Sequence, residues 1–307
     1  MKTILKIIVS AFLLVVSSNS FGQQQAQFTQ YMYNTIVINP GYAGNRNVLS
    51  INGVHRAQWV GLEGAPRTQT LSIHSPMGQR VGLGLSIVQD EIGPSTETYV
   101  NADFSYTIPL NDQGANLAFG LKAGYYSLFV DFGKLLIYNP TDELIQNDNI
   151  NKRSPTIGAG AYVYTDKWYV GLSVPNMLST QHYESSLVSK ASGTQHVYAI
   201  GGYVFEIHKN LKFKPATMLK IAKGAPLALD VSANFLINKK FTLGTSYRLD
   251  AAISALAGFQ ASNQLMLGYS YDYDTTDLRG YNSGSHEFFL RYEFVTRVKG
   301  NVSPRFF

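Results

Sequence analysis

The sequence predicts an all-β fold: a transmembrane antiparallel up-and-down β-barrel of about 14 strands, with both termini periplasmic. Three observations predict it. Beyond an export-type leader, the chain alternates apolar and polar residues at period two. Most alternating segments come close to the ~9–11 residues that a tilted membrane strand needs. Short turns also alternate with longer connections, as they do around a barrel with tight turns at one mouth and loops at the other.

The leader comes first. Residues 1–6 carry Lys2 and Lys6, residues 7–16 are apolar apart from Ser10, and Ser20 and Gly22 are small residues at a spacing that a signal peptidase accepts. This predicts a signal peptide over 1–22 and a mature chain beginning near Gln23. The chain has no cysteine, which excludes lipoprotein anchoring and implies a fold closed without disulfides. Charged residues make up only 15% of the chain, against the usual quarter, while Tyr (20), Phe (17) and Gly (27) are abundant. The net charge is +5, but the basic residues are scattered among acids with no run suited to nucleic acid.

Residues 23–47 are expected to form an N-terminal periplasmic segment. Its first part, "QQQAQFTQYMYNT", is polar and aromatic, and would lie in the periplasm or fold into the barrel mouth. The stretch "INPGYAGNRN" reads as an ordered turn, because Pro40 lacks a backbone donor and Gly41 and Gly44 permit positive φ. It would steer the chain into the first strand near Val48.

The barrel is expected over 48–295, with strands near 48–60, 66–75, 79–90, 96–109, 115–129, 154–165, 167–174, 194–206, 211–222, 226–237, 240–249, 252–261, 264–274 and 286–295. In "VGLGLSIV", Val81, Leu83, Leu85 and Ile87 share one face and Gly82, Gly84 and Ser86 the other. In "LALDVSANFLI", Leu229, Val231 and Phe235 oppose Asp230, Ser232 and Asn234. Pro215 marks a bulge or a misplaced boundary in the ninth strand. Short connections such as "SPMGQ", "LNDQG", "TDK", "HKN", "NKK" and "ASN" fall on one side. "GLEGA", "DEIGPS", 131–153, 175–193, "KGA", "RLDA" and "DTTDLRGYNSGS" fall on the other, the expected exterior. A C-terminal periplasmic tail over 296–307 completes the chain.

The polar faces suggest what lies inside. They are rich in glycine, which in a lumen admits neighbouring side chains or a plug, whereas a soluble sandwich would solvate such a face. They also carry both charge signs: Arg56, Asp103, Lys122, Asp230, Arg248, Asp272, Glu287, Arg291 and Glu293. A selective open pore favours one sign, so the mixture favours a plugged or ligand-holding barrel. Aromatic residues at strand ends (Tyr125, Tyr126, Phe129, Tyr162, Tyr164, Trp168, Tyr169, Tyr269, Tyr271 and Tyr273) read as an interfacial girdle.

Catalytic constellations are scarce. The six histidines (His55, His74, His182, His196, His208 and His286) lack metal-ligand spacing, and neither a Gly-x-Ser-x-Gly elbow nor a cofactor motif occurs. "VGLGLS" opens no helix and is therefore strand and not a nucleotide loop. "NSGSHE" places Ser283 and Ser285 beside His286 and Glu287, but a triad is defined by geometry and not by adjacency. The chain is expected to hold no metal or cofactor and to be no enzyme.

Several motifs together resemble the PorP/SprF family of outer-membrane proteins. These are "NPGYAG" at 39–44, "HRAQWVGLEGAPRTQTLSIHSPM" at 55–77, "SHEFFLRYEF" at 285–294 and the closing "SPRFF". The resemblance covers essentially the mature chain. Its anchors are Asn39, Pro40, Tyr42, Gly44, Arg56, Gln58, Trp59, Gly61, Ala65, Pro66 and Thr70, with Gly41 at the variable third position of the turn. It implies a non-enzymatic part in the type IX secretion system of Bacteroidetes. The implied partners are outer-membrane lipid, a large secreted cargo with a C-terminal sorting domain, often a gliding adhesin, and periplasmic parts of the secretion and gliding machinery. The rival readings are a diffusion pore or transporter and a barrel hydrolase.

Overall fold

In the computed structural model, residues 27–112, 114–134, 149–178, 195–222 and 224–294 are described. The expected leader (1–22), the C-terminal tail (296–307) and most of the two longest loops lie outside them. The strands are β1 (Leu49–Ala57), β2 (Arg67–Met77), β3 (Val81–Ile92), β4 (Ser95–Pro109), β5 (Asn116–Val130), β6 (Ile150–Tyr164), β7 (Trp168–Val174), β8 (His196–Tyr203), β9 (Phe205–His208), β10 (Leu211–Ala222), β11 (Ala228–Ile237), β12 (Phe241–Arg248), β13 (Ala252–Gln260), β14 (Leu265–Asp274) and β15 (Ser285–Phe294).

Each strand pairs antiparallel with its neighbours, β1 pairs with β15, and the ring is continuous through β10 and β11. Because β8 and β9 both lie in line along β10, the fifteen segments form a closed barrel of 14 strands. Closure leaves no free sheet edge around the ring, which is what a membrane-spanning sheet requires.

The burial is inverted relative to a soluble protein. Leu85, Leu121, Leu172 and Leu243 are more than half exposed on the outer face, whereas Ser72, Ser105, Asn52 and Asn234 are buried inside. Lipid is the solvent for the first set, so alternation follows from two different surroundings. The outer face turns polar towards one end of the longest strands, at Thr96, Thr98, Ser127, Asn151 and Arg153. There β4, β5 and β6 rise above the apolar band.

Several expectations are corrected. The "DEIGPS" connection is no loop: β3 and β4 run on until only Gly93 and Pro94 join them, with Gly93 at φ 55°. Pro215 makes no bulge in its own strand and stands opposite Ala233. On its other side Phe213 faces Phe205 and Ala216 faces Gly202, so Lys214 and Pro215 face the interruption between β8 and β9. A proline cannot donate to the ladder, and the neighbouring strand lapses there. Three residues of the expected girdle, Tyr126, Tyr162 and Tyr169, are at most 3% exposed and point inward. Neighbouring residues on a strand face opposite sides, so each of these turns inward where the residue beside it faces lipid.

The largest correction concerns 23–47. Of the two places expected for it, its described part takes the one at the barrel and goes further, through the whole lumen. Residues 28–46 are almost all buried and fill the lumen as a 3-10 turn (Tyr31–Tyr33), one α turn (Thr35–Ile38) and a second 3-10 turn (Pro40–Tyr42). Phe28 lies beside Lys220 and Arg248, at the mouth that bears the long loops. Gly44 and Arg46 lie at the other mouth, beside His74 and Glu293. The chain therefore threads the barrel once before β1 begins.

Because the lumen is filled, charge is costly on both faces of the wall. Arginine at Val231, on the outer face towards the middle of β11, should cost about 2–4 kcal/mol. Ser232 is 3% exposed and shares the lumen-facing row with Asp230 and Asn234, so Ser232→Arg should impair assembly comparably, because it overfills a packed interior. The yield of heat-modifiable, detergent-folded protein measures both. Near-normal yield for Ser232→Arg would show a wet lumen.

Candidate functional site

Three groups of contacts hold the plug. At the long-loop mouth, Glu287 accepts the backbone N–H groups of Thr29 (2.9 Å) and Gln30 (2.8 Å). The Thr29 hydroxyl donates to Asp272 (2.7 Å). Arg56 donates to Asp272 (2.6 Å), to Glu287 (3.1 Å) and to the Thr29 hydroxyl (3.0 Å), and its side chain is 2% exposed. Two buried carboxylates and one buried guanidinium thus meet the start of the plug. Since β1, β14 and β15 supply them, this cluster also straddles the contact between the first and last strands.

Midway, the Asn34 side-chain amide donates to the Thr70 hydroxyl (2.8 Å) and accepts from Ser72 (2.7 Å). Lys122 donates to the Ile36 carbonyl (3.3 Å) and pairs with Asp103 (2.7 Å), and Ser173 donates to the Ile38 carbonyl (2.7 Å). Tyr33 stacks on Phe289 at 4.8 Å, with Lys214 and Arg291 each 5.9 Å from its ring centre.

At the short-turn mouth the "NPGYAG" stretch makes a floor. The Asn39 carbonyl oxygen of the side chain accepts Gly41 N–H (2.9 Å), and its amide donates to Ala161 O (3.1 Å). Pro40 opens the 3-10 turn, where a missing N–H costs nothing. Tyr42 meets His74 (5.6 Å) and Tyr162 (5.5 Å) edge-on. Gly44, at φ 71°, donates its N–H to His74 Nδ1 (3.2 Å). Arg46 pairs with Glu293 at 2.6 Å. The wall makes room: a Cβ at Gly82, Gly120 or Gly160 would collide with Ala43, with the Pro40–Gly41 peptide or with Asn39. The lumen-facing glycines are the cradle of the plug.

The motif residues therefore occupy two places and not one. Asn39, Pro40, Tyr42 and Gly44 form the floor. Arg56, with Gln58 Oε1 accepting from its Nε at 3.3 Å, stands at the other end. Trp59, Gly61 and Pro66 lie in the β1–β2 loop, which is tied to the β14–β15 loop by Val60 N–H to Gly284 O (2.9 Å) and Ser283 N–H to Val60 O (2.7 Å). Trp59 N–H also donates to Ser285 Oγ (3.2 Å). Ser285 and Glu287 face inward while His286 faces outward against Tyr269, so "NSGSHE" assembles no triad. The nine lumen charges named from the sequence are all at most 9% exposed, and each lies in an ion pair. Sequence reasoning missed Thr29, Gln30 and Asn34 as cross-links, because nothing in their spacing reveals partners more than thirty residues away.

A closed 14-strand wall with lipid-facing leucines outside and a plugged polar lumen defines an outer-membrane β-barrel protein. The family model "Type IX secretion system membrane protein PorP/SprF" matches residues 20–292, and the chain belongs to this family. No curated protein matches the sequence. Among solved structures it is similar to the CymD monoaromatic hydrocarbon channel, at 14% identity and TM-score 0.48, covering 92% of this chain and 98% of that one. It is also similar to Omp33 of Acinetobacter baumannii, at 9% identity and TM-score 0.47, covering 81% and 99%. The KdgM porin follows at 12% identity and TM-score 0.36, covering 80% and 99%. Likenesses this distant carry none of those proteins' transport roles to this chain.

Proposed function

We propose that this protein is a non-enzymatic accessory barrel of the type IX secretion system, one that receives a large secreted protein through its C-terminal sorting domain and holds it at the cell surface. Membership of the PorP/SprF family supports the secretion role. The observation that carries the reading away from a diffusion pore is the buried, multiply hydrogen-bonded segment 28–46 inside the wall. A barrel filled by its own chain acts by binding. The orientation that follows puts the long loops outside, the floor and short turns in the periplasm within reach of the secretion and gliding machinery, and the start of the plug at the outer mouth, in place of the periplasmic N-terminus expected from the sequence.

Two measurements test this. Deleting the gene should leave other cargo secreted while one large surface protein fails to reach or stay on the cell. Unchanged surface proteins with altered uptake of a small solute would sink the proposal. For orientation, the cysteine-free background allows single cysteines at Glu63, Gln27 and Asp112. An impermeant maleimide should label the first two in intact cells and spare the third. The reverse pattern would invert the barrel.

A further inference from the structure

One arc of the short-turn mouth gathers exposed positive charge. Three neighbouring turns, 165–167, 209–210 and 238–240, present Lys167, Lys209, Lys239 and Lys240, all exposed. None of these four makes a close ion pair among the described residues, although Asp166 shares the turn of Lys167 and Lys167 also acts on Glu206, which pairs with Lys212 at 3.1 Å, so the arc keeps a net positive charge. Hydrogen bonds hold the turns in place: Asn238 N–H donates to Asn210 O (2.8 Å), joining two of them, and Val204 N–H to Lys167 O (2.6 Å), tying the third to the junction of β8 and β9. Among the described residues, the other turns of this rim carry little charge. Turn 78–80 brings Arg80, 110–115 brings Asp112, and 261–264 brings no charge.

Immediately beside these lysines, on the outer face of the same strands, lies a belt of rings in contact. Tyr203 and Phe205 are 4.5 Å apart, Phe205 and Phe213 6.1 Å, Phe213 and Phe235 4.9 Å, and Phe241 and Phe259 5.1 Å. Tyr203, Phe205, Phe235, Phe241 and Phe259 remain exposed, so this belt faces lipid. Aromatic rings seat at headgroup level. Each lysine is within four residues of a ring, which sets the turns just beyond the acyl boundary, at the level of the phosphates.

We propose that this arc, built from the turns before β7, β10 and β12, is a binding site for anionic phospholipid headgroups in the leaflet on the short-turn side. The rings hold the acyl boundary, and the four exposed lysines meet phosphate. Each lysine near such a surface contributes about fivefold in affinity, so losing four should erase most of a preference of tenfold or more.

The chain's two tryptophans supply the assay. Trp168 follows Lys167 and alternates with the buried Tyr169, so it faces lipid within the arc, and Trp59 lies at the far mouth. In a Trp59→Phe background, the full-length protein is reconstituted in phosphatidylcholine bilayers, and brominated lipids are titrated in. Brominated phosphatidylglycerol should quench Trp168 at least tenfold more effectively per mole than brominated phosphatidylcholine. The preference should fall to near unity in Lys167→Gln/Lys209→Gln/Lys239→Asn/Lys240→Gln. Asparagine suits Lys239, whose φ is 56°. Heat-modifiable migration confirms that the variant folds. Equal quenching by the two lipids in the unaltered arc would overturn the proposal, as would a preference that survives the fourfold change. Competition by lipid A with no effect of phosphatidylglycerol would overturn it too, since the phosphate would then belong to the other leaflet. The assay needs no cargo, so its outcome is independent of the secretion role.

Discussion

Replacing Arg56 with methionine should be the most damaging single substitution in the lumen. Methionine keeps much of the volume and removes the charge. Asp272 and Glu287 then stay buried, at 1% and 0% side-chain exposure, without their shared cation. Breaking a buried ion pair on one side costs about 3–5 kcal/mol, far above the usual surface-pair value. The loss falls where the plug begins, so the first turn of the plug should loosen before the wall does. The measurements are the temperature at which the folded band converts to the unfolded one, and the rate at which chymotrypsin cleaves near Phe28 and Tyr31. Both should shift strongly. Adding Asp272→Asn to Arg56→Met should recover part of the loss, because one buried carboxylate is neutralised while Glu287 keeps its two backbone donors. A single variant as stable and protease-resistant as the unaltered protein would show that the cluster contributes nothing to seating the plug.

The wall was legible in the sequence and its contents were not, for one physical reason. Two solvents impose period two along every strand, so Leu83, Leu85 and Ile87 announce one face and Gly82, Gly84 and Ser86 the other. Each of the expected strands matches one in the barrel. Alternation also placed Arg56, Asp103, Lys122 and the other lumen charges correctly, and their mixed signs rightly pointed to a filled interior. Local rules failed where two local signals competed. Gly93 and Pro94 looked like the middle of a loop but close a two-residue hairpin, and Tyr126, Tyr162 and Tyr169 looked interfacial by position while their parity turned them inward. The plug has no period. Thr29 finds partners 243 and 258 residues away, and Asn39 finds one 122 residues away. No spacing within 28–46 encodes contacts to strands from both ends of the chain. The nearest sequence signal was indirect: the glycines on the polar face mark where something must come close.

Removing the plug should change the barrel from a closed body into a conducting one. Deletion of residues 28–46 would expose Asn52, Thr70, Ser72, Ser105 and Ser173, with the charged groups Arg56, Asp272, Glu287, Lys122 and Asp103, to a lumen that water would enter. Eight-stranded barrels are filled by their own side chains and sixteen-stranded ones leave a channel, so an emptied barrel of this size lies towards the open end of that range. In planar bilayers the intact protein should show no stable large conductance, and the deletion should show discrete open steps. Water replaces the plug's hydrogen bonds but not the packing of Tyr33, Tyr42 and Ile36, so folded yield should fall as well. Gly120→Val approaches the same result with the chain complete. Its side chain would collide with the Pro40–Gly41 peptide, which no rotamer change relieves, and the floor must shift. That variant should conduct intermittently while keeping its heat-modifiable band. Stable large steps from the unaltered protein would restore the pore reading. A folded deletion variant that conducts nothing would show that something other than 28–46 closes the lumen.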